Sequence, residues 1–213
     1  MTNVHLQQAW QFSGPAPEKS GSAVILIHGR THSPKEMFAL TERISLSTAS
    51  YVALQASGNS WYPAKFMQPV EENQPFLDYS LETVNEATKS LNAQGVTNNN
   101  IFFLGFSQGA CLACEYVYRN PQAWGGLIAF TGGLIGPENT IWSETGKLGN
   151  MPVILGNSDE DEWVPVSRTK ETASVFKKMG ASVTLKIYPR LDHSVNDDEI
   201  NLARSLLSTN FSK

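Results

Sequence analysis

Ile101-Phe102-Phe103-Leu104-Gly105-Phe106-Ser107-Gln108-Gly109-Ala110 is the stretch on which the fold turns. Four apolar residues in a row, Ile101 to Leu104, read as a strand buried on both faces. Gly105-Phe106-Ser107-Gln108-Gly109 then matches G-x-S-x-G, and residues 110–116 continue at helical spacing. A buried strand, a tight glycine turn and a helix form the context in which that pattern carries chemistry, because the turn lifts the serine hydroxyl clear of the sheet at a helix N-terminus. The flanking glycines leave room for a backbone approach that no side chain could share. G-x-S-x-G alone arises by chance in ordinary strand–helix connections, and it is the apolar strand and helix around it that favour Ser107 as a nucleophile. Such a serine needs a base, an acid to orient the base, and donors for an oxyanion.

At 213 residues the chain reads as one domain, residues 1–213, long enough for a substantial core. Hydrophobic residues make up 41 % and charged residues 17 %, which suits a globular enzyme rather than a disordered chain. A net charge of -4 leaves no basic surface, so nucleic acid is not an expected partner. The first residues lack the basic and apolar regions of a signal peptide, and no apolar run approaches the roughly 20 residues that span a bilayer. The expected location is the cytoplasm. Cys111 and Cys114, the two cysteines, give no disulfide framework. Their C-x-x-C spacing falls inside a helix instead of opening one, so they read as core residues packing that helix on the sheet, and two thiols fall short of a zinc site.

Residues 4–12 alternate loosely, as an edge strand would. Residues 24–27 form a second buried strand ending at His28-Gly29-Arg30, and Pro34 opens a helix through about Leu46 with Ser33 as its N-cap. A short strand at 51–54 precedes an aromatic-rich loop, 55–73, of a length that usually serves a site. A helix over 75–94 leads to the Ile101 strand. Further strands are expected at 126–130, 152–155 and 182–188, with helices over 165–179 and about 196–207 and a loop over 131–150. Strands alternating with helices imply a mostly parallel sheet covered by helices on both faces. The active site of such a sheet lies beyond the carboxyl ends of its strands.

Ser107 lies there, and so does His193, which follows the last strand. Serine hydrolases on such sheets run Ser, Asp/Glu, His in chain order, and of the four histidines only His193 follows Ser107. His5 reads as a surface residue and His32 as a polar loop residue; a zinc pair of His28 and His32 lacks a third ligand. The acid belongs in the loop after residues 152–155, where Asp159 and Asp161 are both placed to accept the Nδ1–H of His193. Asp192 reads as a turn residue. For the oxyanion, the backbone N–H of Gln108 pairs with one from an earlier strand's loop, and Arg30 is placed to give the second.

With these residues assembled, the chain resembles the α/β-hydrolase fold, and within it the phospholipase/carboxylesterase family that includes the acyl-protein thioesterases. The resemblance is carried by His28-Gly29, Gly105-Phe106-Ser107-Gln108-Gly109, Gly132-Gly133-Leu134, the Asp161…Val164-Pro165 segment and His193, which together span nearly the whole chain. In that family the catalytic aspartate stands three residues before the valine of D-x-x-V-P, which implies Asp161 rather than Asp159. Departures exist. Relatives often carry H-G-D-x-D where this chain has Leu155-Gly156-Asn157-Ser158-Asp159-Glu160-Asp161, Glu162 stands where proline is common, and Arg190 and Asp192 replace glycines. The pattern is similar to a bacterial-type branch of small esterases, so acyl-protein thioesterase activity is not carried over. Ser60-Trp61-Tyr62 resembles the family's aromatic site-facing loop, and the implied substrate-contacting set is Trp61, Tyr62, Phe66 and Leu134; an aromatic cluster covering the core edge is the competing reading.

The resemblance implies a serine carboxylic ester hydrolase of minimal α/β-hydrolase fold, acting on small to medium acyl esters through an acyl-enzyme, with no metal or organic cofactor and no large lid. An acyl thioesterase or lysophospholipase would use the same residues, and a ligand-binding protein with a vestigial triad is a third reading. Apolar residues around Leu134-Ile135 would either pair two copies into a homodimer or line the substrate pocket.

Overall fold

The computed structural model describes residues 2–144 and 146–211. Strands β1 (Gln11–Ser13), β2 (Ala23–Ile27), β3 (Ser50–Leu54), β4 (Ile101–Phe106), β5 (Gly126–Phe130), β6 (Pro152–Ser158) and β7 (Ser182–Tyr188) form one sheet in the order β1-β3-β2-β4-β5-β6-β7. Only β1 runs antiparallel to its neighbour; every other pairing is parallel. Helices α1 (Pro17–Ser20), α2 (Pro34–Ile44), α3 (Phe76–Ala93), α4 (Gln108–Arg119), α5 (Val166–Lys178) and α6 (Asp197–Phe211) complete the chain. α2 and α6 cover one face; α3, α4 and α5 cover the other. This is the α/β-hydrolase arrangement, with no large inserted lid among the described residues.

The two cores explain why the central strands read as unbroken apolar runs. Along β4, Phe102 and Leu104 face the α2/α6 layer while Ile101 and Phe103 face the α3/α4 layer, and all four are fully buried. Burying such a side chain contributes about 2 kcal/mol, so both faces have to be apolar. The α2 entry is fixed locally: Ser33 Oγ accepts the Lys35 N–H at 3.3 Å, and Glu36 Oε2 accepts the Ser33 N–H at 2.8 Å, a reciprocal capping box. Among the described residues no helix is long and apolar enough to cross a membrane.

Two expectations change at the amino-terminal end. The edge strand is confined to Gln11–Ser13, because Asn3 Oδ1 accepts the N–H groups of His5 at 2.9 Å and Leu6 at 3.4 Å and turns the chain there. His5 is buried, not a surface residue. Its Nδ1 accepts the Ser57 N–H at 3.0 Å and its Nε2–H donates to Trp61 O at 3.1 Å, a pattern only the neutral ring satisfies. Asn3 Nδ2 meanwhile donates to Tyr79 O in α3 at 2.8 Å, so this segment straps the 55–61 loop to α3.

Candidate active site

Ser107 stands between β4 and α4 with φ 54° and ψ −120°, a conformation a residue bearing Cβ holds only when its surroundings impose it. They do so at both ends. The Ser107 N–H donates to Phe130 O of β5 and its carbonyl accepts the Cys111 N–H, each at 3.0 Å. A Cβ on Gly105 would run into the Gly109 carbonyl, and one on Gly109 into the Ile27 carbonyl, so glycine at both positions lets α4 press against β4 and β2.

The loop after β7 brings His193 to this serine from the far edge of the sheet. His193 Nε2 lies 2.8 Å from Ser107 Oγ, and its Nδ1 lies 2.7 Å from Asp161 Oδ2. With Nδ1–H donating to the carboxylate, Nε2 is free to accept the serine proton. The other Asp161 oxygen accepts the N–H groups of Trp163 at 2.8 Å and Val164 at 2.7 Å. Burial pushes the Asp161 carboxyl up, but the hydrogen bonds from His193, Val164 and Trp163 outweigh it and hold the group below the usual aspartate range. The Asp161 side chain is 0 % exposed and that of His193 23 %, so the acid is sealed while the imidazole still borders the cleft.

Asp159 has a different partner. Its Oδ1 accepts the Arg190 N–H at 2.8 Å and its N–H donates to Tyr188 O at 3.1 Å, tying the acid loop to the turn that carries His193. The backbone N–H groups of Arg30 and Gln108 have no hydrogen-bond partner among the described residues. Their side chains converge on one carbonyl: Tyr62 O accepts from Arg30 Nη2 at 2.9 Å, Gln108 Nε2 at 2.8 Å and Ser60 Oγ at 3.0 Å. Arg30 also donates to the carbonyls of Pro63 and Ala64, each at 2.7 Å, while Gln108 Oε1 accepts the Trp61 N–H at 2.9 Å. The 60–64 segment thus spaces the β2 loop from the start of α4.

Residues 15–211 match the family described as Phospholipase/Carboxylesterase. The chain belongs to that phospholipase/carboxylesterase family. A family member of solved structure, the phospholipase/carboxylesterase of Dyadobacter fermentans, shares 40 % sequence identity and a TM-score of 0.90 over 94 % of this chain and 96 % of its own. A probable carboxylesterase of Oryza sativa is 27 % identical over 134 residues, 63 % of this chain but 57 % of the rice protein, so the chain spans little more than half of that curated relative. Acyl-protein thioesterase 1 of Eremothecium gossypii is 26 % identical over 209 residues, 88 % of this chain and 87 % of its own.

In this member of the family, the structure brings together Ser107, His193 and Asp161, with Arg30 and Gln108 beside them. A cleft of about 440 Å³ opens over Ser107, bordered by Tyr62, Phe66, Phe106 and Cys111 among others. Trp61 and Leu134, expected to touch substrate, are fully buried and do not border it. Trp61 is core: its indole N–H donates to His28 O at 2.8 Å and its ring lies between His5 and His28, with centroids 5.5 and 5.0 Å away. Leu134 and Ile135 are buried within the chain, so they offer no exposed patch for a second copy. His32 stacks on Phe106 at 5.5 Å and lines the cleft, more than the loop residue expected.

Both cysteines are buried, as expected of core residues, and burial pushes the Cys111 thiol up to about 12 and that of Cys114 up as well. Neither thiol ionises readily, which removes the redox reading of C-x-x-C. Among the described residues no group of three or more His, Cys, Asp or Glu side chains is arranged to hold a metal. The positioning roles of Asp159 and of the Gln108 side chain went unread in the sequence; an aspartate two residues from the acid was visible as a signal, whereas the Gln108 contacts lie 46 and 47 residues away in the chain.

Proposed function

We propose that this protein is a serine carboxylic ester hydrolase acting on small to medium acyl esters. The observation that carries this reading is the hydrogen-bonded line Ser107–His193–Asp161, at 2.8 and 2.7 Å, on a backbone turn that aims the hydroxyl into an open cleft. His193 Nε2 takes the Ser107 proton as Oγ attacks the ester carbonyl, and Asp161 stabilises the imidazolium that forms. The N–H groups of Arg30 and Gln108 receive the tetrahedral oxyanion; such donors are worth about 3 kcal/mol each. The alcohol departs with the proton from His193, and water repeats the sequence on the acyl-enzyme. A cleft of about 440 Å³, with no inserted lid among the described residues, suits short and medium chains over bulk lipid.

Thioester hydrolysis is the second reading, supported by the likeness to the Eremothecium thioesterase along 88 % of this chain. Labelling with a fluorophosphonate probe tests the common chemistry. Wild type should label, Ser107→Ala should not, and turnover of 4-nitrophenyl acetate and octanoate should collapse in both Ser107→Ala and His193→Ala. A folded wild type that neither labels nor turns over ester would make the protein a binding module. Faster turnover of acyl thioesters than of matched esters would move the assignment to the second reading.

A further inference from the structure

The cleft over Ser107 is electrically one-sided. Arg30 and Lys65 border it, and among the described residues no aspartate or glutamate does. Composition does not explain this, since the chain carries 20 acidic residues against 16 Lys and Arg. Arg30 spends its guanidinium on three backbone carbonyls, which are neutral, so its positive charge stays uncompensated. Among the described residues neither Arg30 nor Lys65 forms an ion pair with a carboxylate.

Lys65 is presented from a braced backbone. The fully buried Asn73 accepts the Ala64 N–H at 2.8 Å and donates to Lys65 O at 3.3 Å. The acidic side chains near His193 border a separate recess, lined by Glu160, Glu162 and Asp192 together with Arg190 and His193. Phe66 and Cys111 share the lining of the Ser107 cleft with Lys65 and give it an apolar wall.

We infer that the cleft favours esters that carry a free carboxylate away from the ester carbonyl, monoesters of dicarboxylic acids being the simplest, with the Lys65 ammonium as the residue that sets this preference. The inference rests on the ester-hydrolase reading above. Methylenes lie against the apolar wall, and the free carboxylate meets the charges of Arg30 and Lys65.

The test compares the mono-4-nitrophenyl ester of adipic acid with its neutral match, methyl 4-nitrophenyl adipate, which share a leaving group and chain length. In wild type at low salt the ratio of kcat/KM, anionic over neutral, should exceed one. It should fall about fivefold in Lys65→Gln and about tenfold or more in Lys65→Glu, where attraction becomes repulsion. It should shrink in 0.5 M NaCl, where the screening length is only about 4 Å. A wild-type ratio of one or less, or a ratio indifferent to Lys65→Glu, overturns the inference and leaves ester hydrolysis standing. Absence of turnover of both esters together with absence of fluorophosphonate labelling overturns the ester-hydrolase reading itself and this preference with it.

Discussion

Asp159 and Asp161 stand two residues apart in one acidic loop, yet the hydrogen bonds each accepts divide the work between them. Asp161 holds the imidazole; Asp159 holds the turn on which the imidazole rides. Asp161→Asn keeps the volume but favours the wrong histidine tautomer, so kcat should fall about 10⁴-fold. Asp159→Ala leaves the tautomer alone and strips one acceptor from the Arg190 N–H. It should cost about 1 kcal/mol of stability and less than about tenfold in kcat. Steady-state kinetics beside thermal melts separates the two, and equal losses in kcat would refute the division. The sign of the Asp161 shift adds a pH statement. Its carboxyl titrates below the usual aspartate value, so its contribution to folding is complete above that value and is lost as pH falls through the lowered one.

At the level of elements, the site depends on the 60–64 segment, of which Tyr62 and Pro63 border the cleft. Residues 60–64 accept from Arg30 after β2 and exchange hydrogen bonds with Gln108 at the start of α4. Gln108→Met would fill the same space and break the Gln108 bonds to Tyr62 O and the Trp61 N–H, leaving the buried Trp61 N–H without an acceptor. The expected result is a loss of about 1–3 kcal/mol in stability and about tenfold in kcat with KM nearly unchanged, since an oxyanion donor matters in the transition state more than in the bound ester. A variant that altered KM alone would place Gln108 in substrate contact instead. This loop also marks where the sequence stops being legible. The Ile101 strand, the Ser107 turn, the following helix and the Ser33 cap are local patterns, each decided by residues a few positions apart. Trp61 and Leu134 have the residue types of a substrate pocket, and their burial is decided by partners such as His28, 33 residues away. His5 looked like a surface residue for the same reason. At α6 a further local pattern went unread: Glu199 Oε2 accepts the Asn196 N–H and Asn196 Oδ1 accepts the Glu199 N–H, each at 3.0 Å, a reciprocal capping box.

For the molecule as a whole, two buried groups set opposite pH slopes. Burial lowers His28 from 6.5 to about 4, partly offset by its bond to the Gly29 carbonyl; its neutral ring accepts the Ala56 N–H at 3.1 Å. A depressed value means stability is complete above 6.5 and is lost as pH falls toward 4, by about 3 kcal/mol in all. Burial raises Glu199 from 4.5 to about 7, so its contribution is complete below 4.5 and is lost as pH rises through 7, again by about 3 kcal/mol. The two nearly cancel in wild type. Glu199→Gln removes one slope, so its melting temperature should match wild type near pH 5 and exceed it near pH 8; an advantage equal at both values would refute the assignment. The amino-terminal strap has a consequence of another kind. Asn3 and His5 fasten α3 to the Ser57–Trp61 stretch without contributing a strand, for the sheet begins only at Gln11. A protease nick or a poorly chosen affinity tag there would leave the circular-dichroism spectrum native while slackening the jig that spaces Arg30 from Gln108. Loss of activity and loss of fold are therefore separable failures in this protein, and the first begins at residues far in sequence from Ser107.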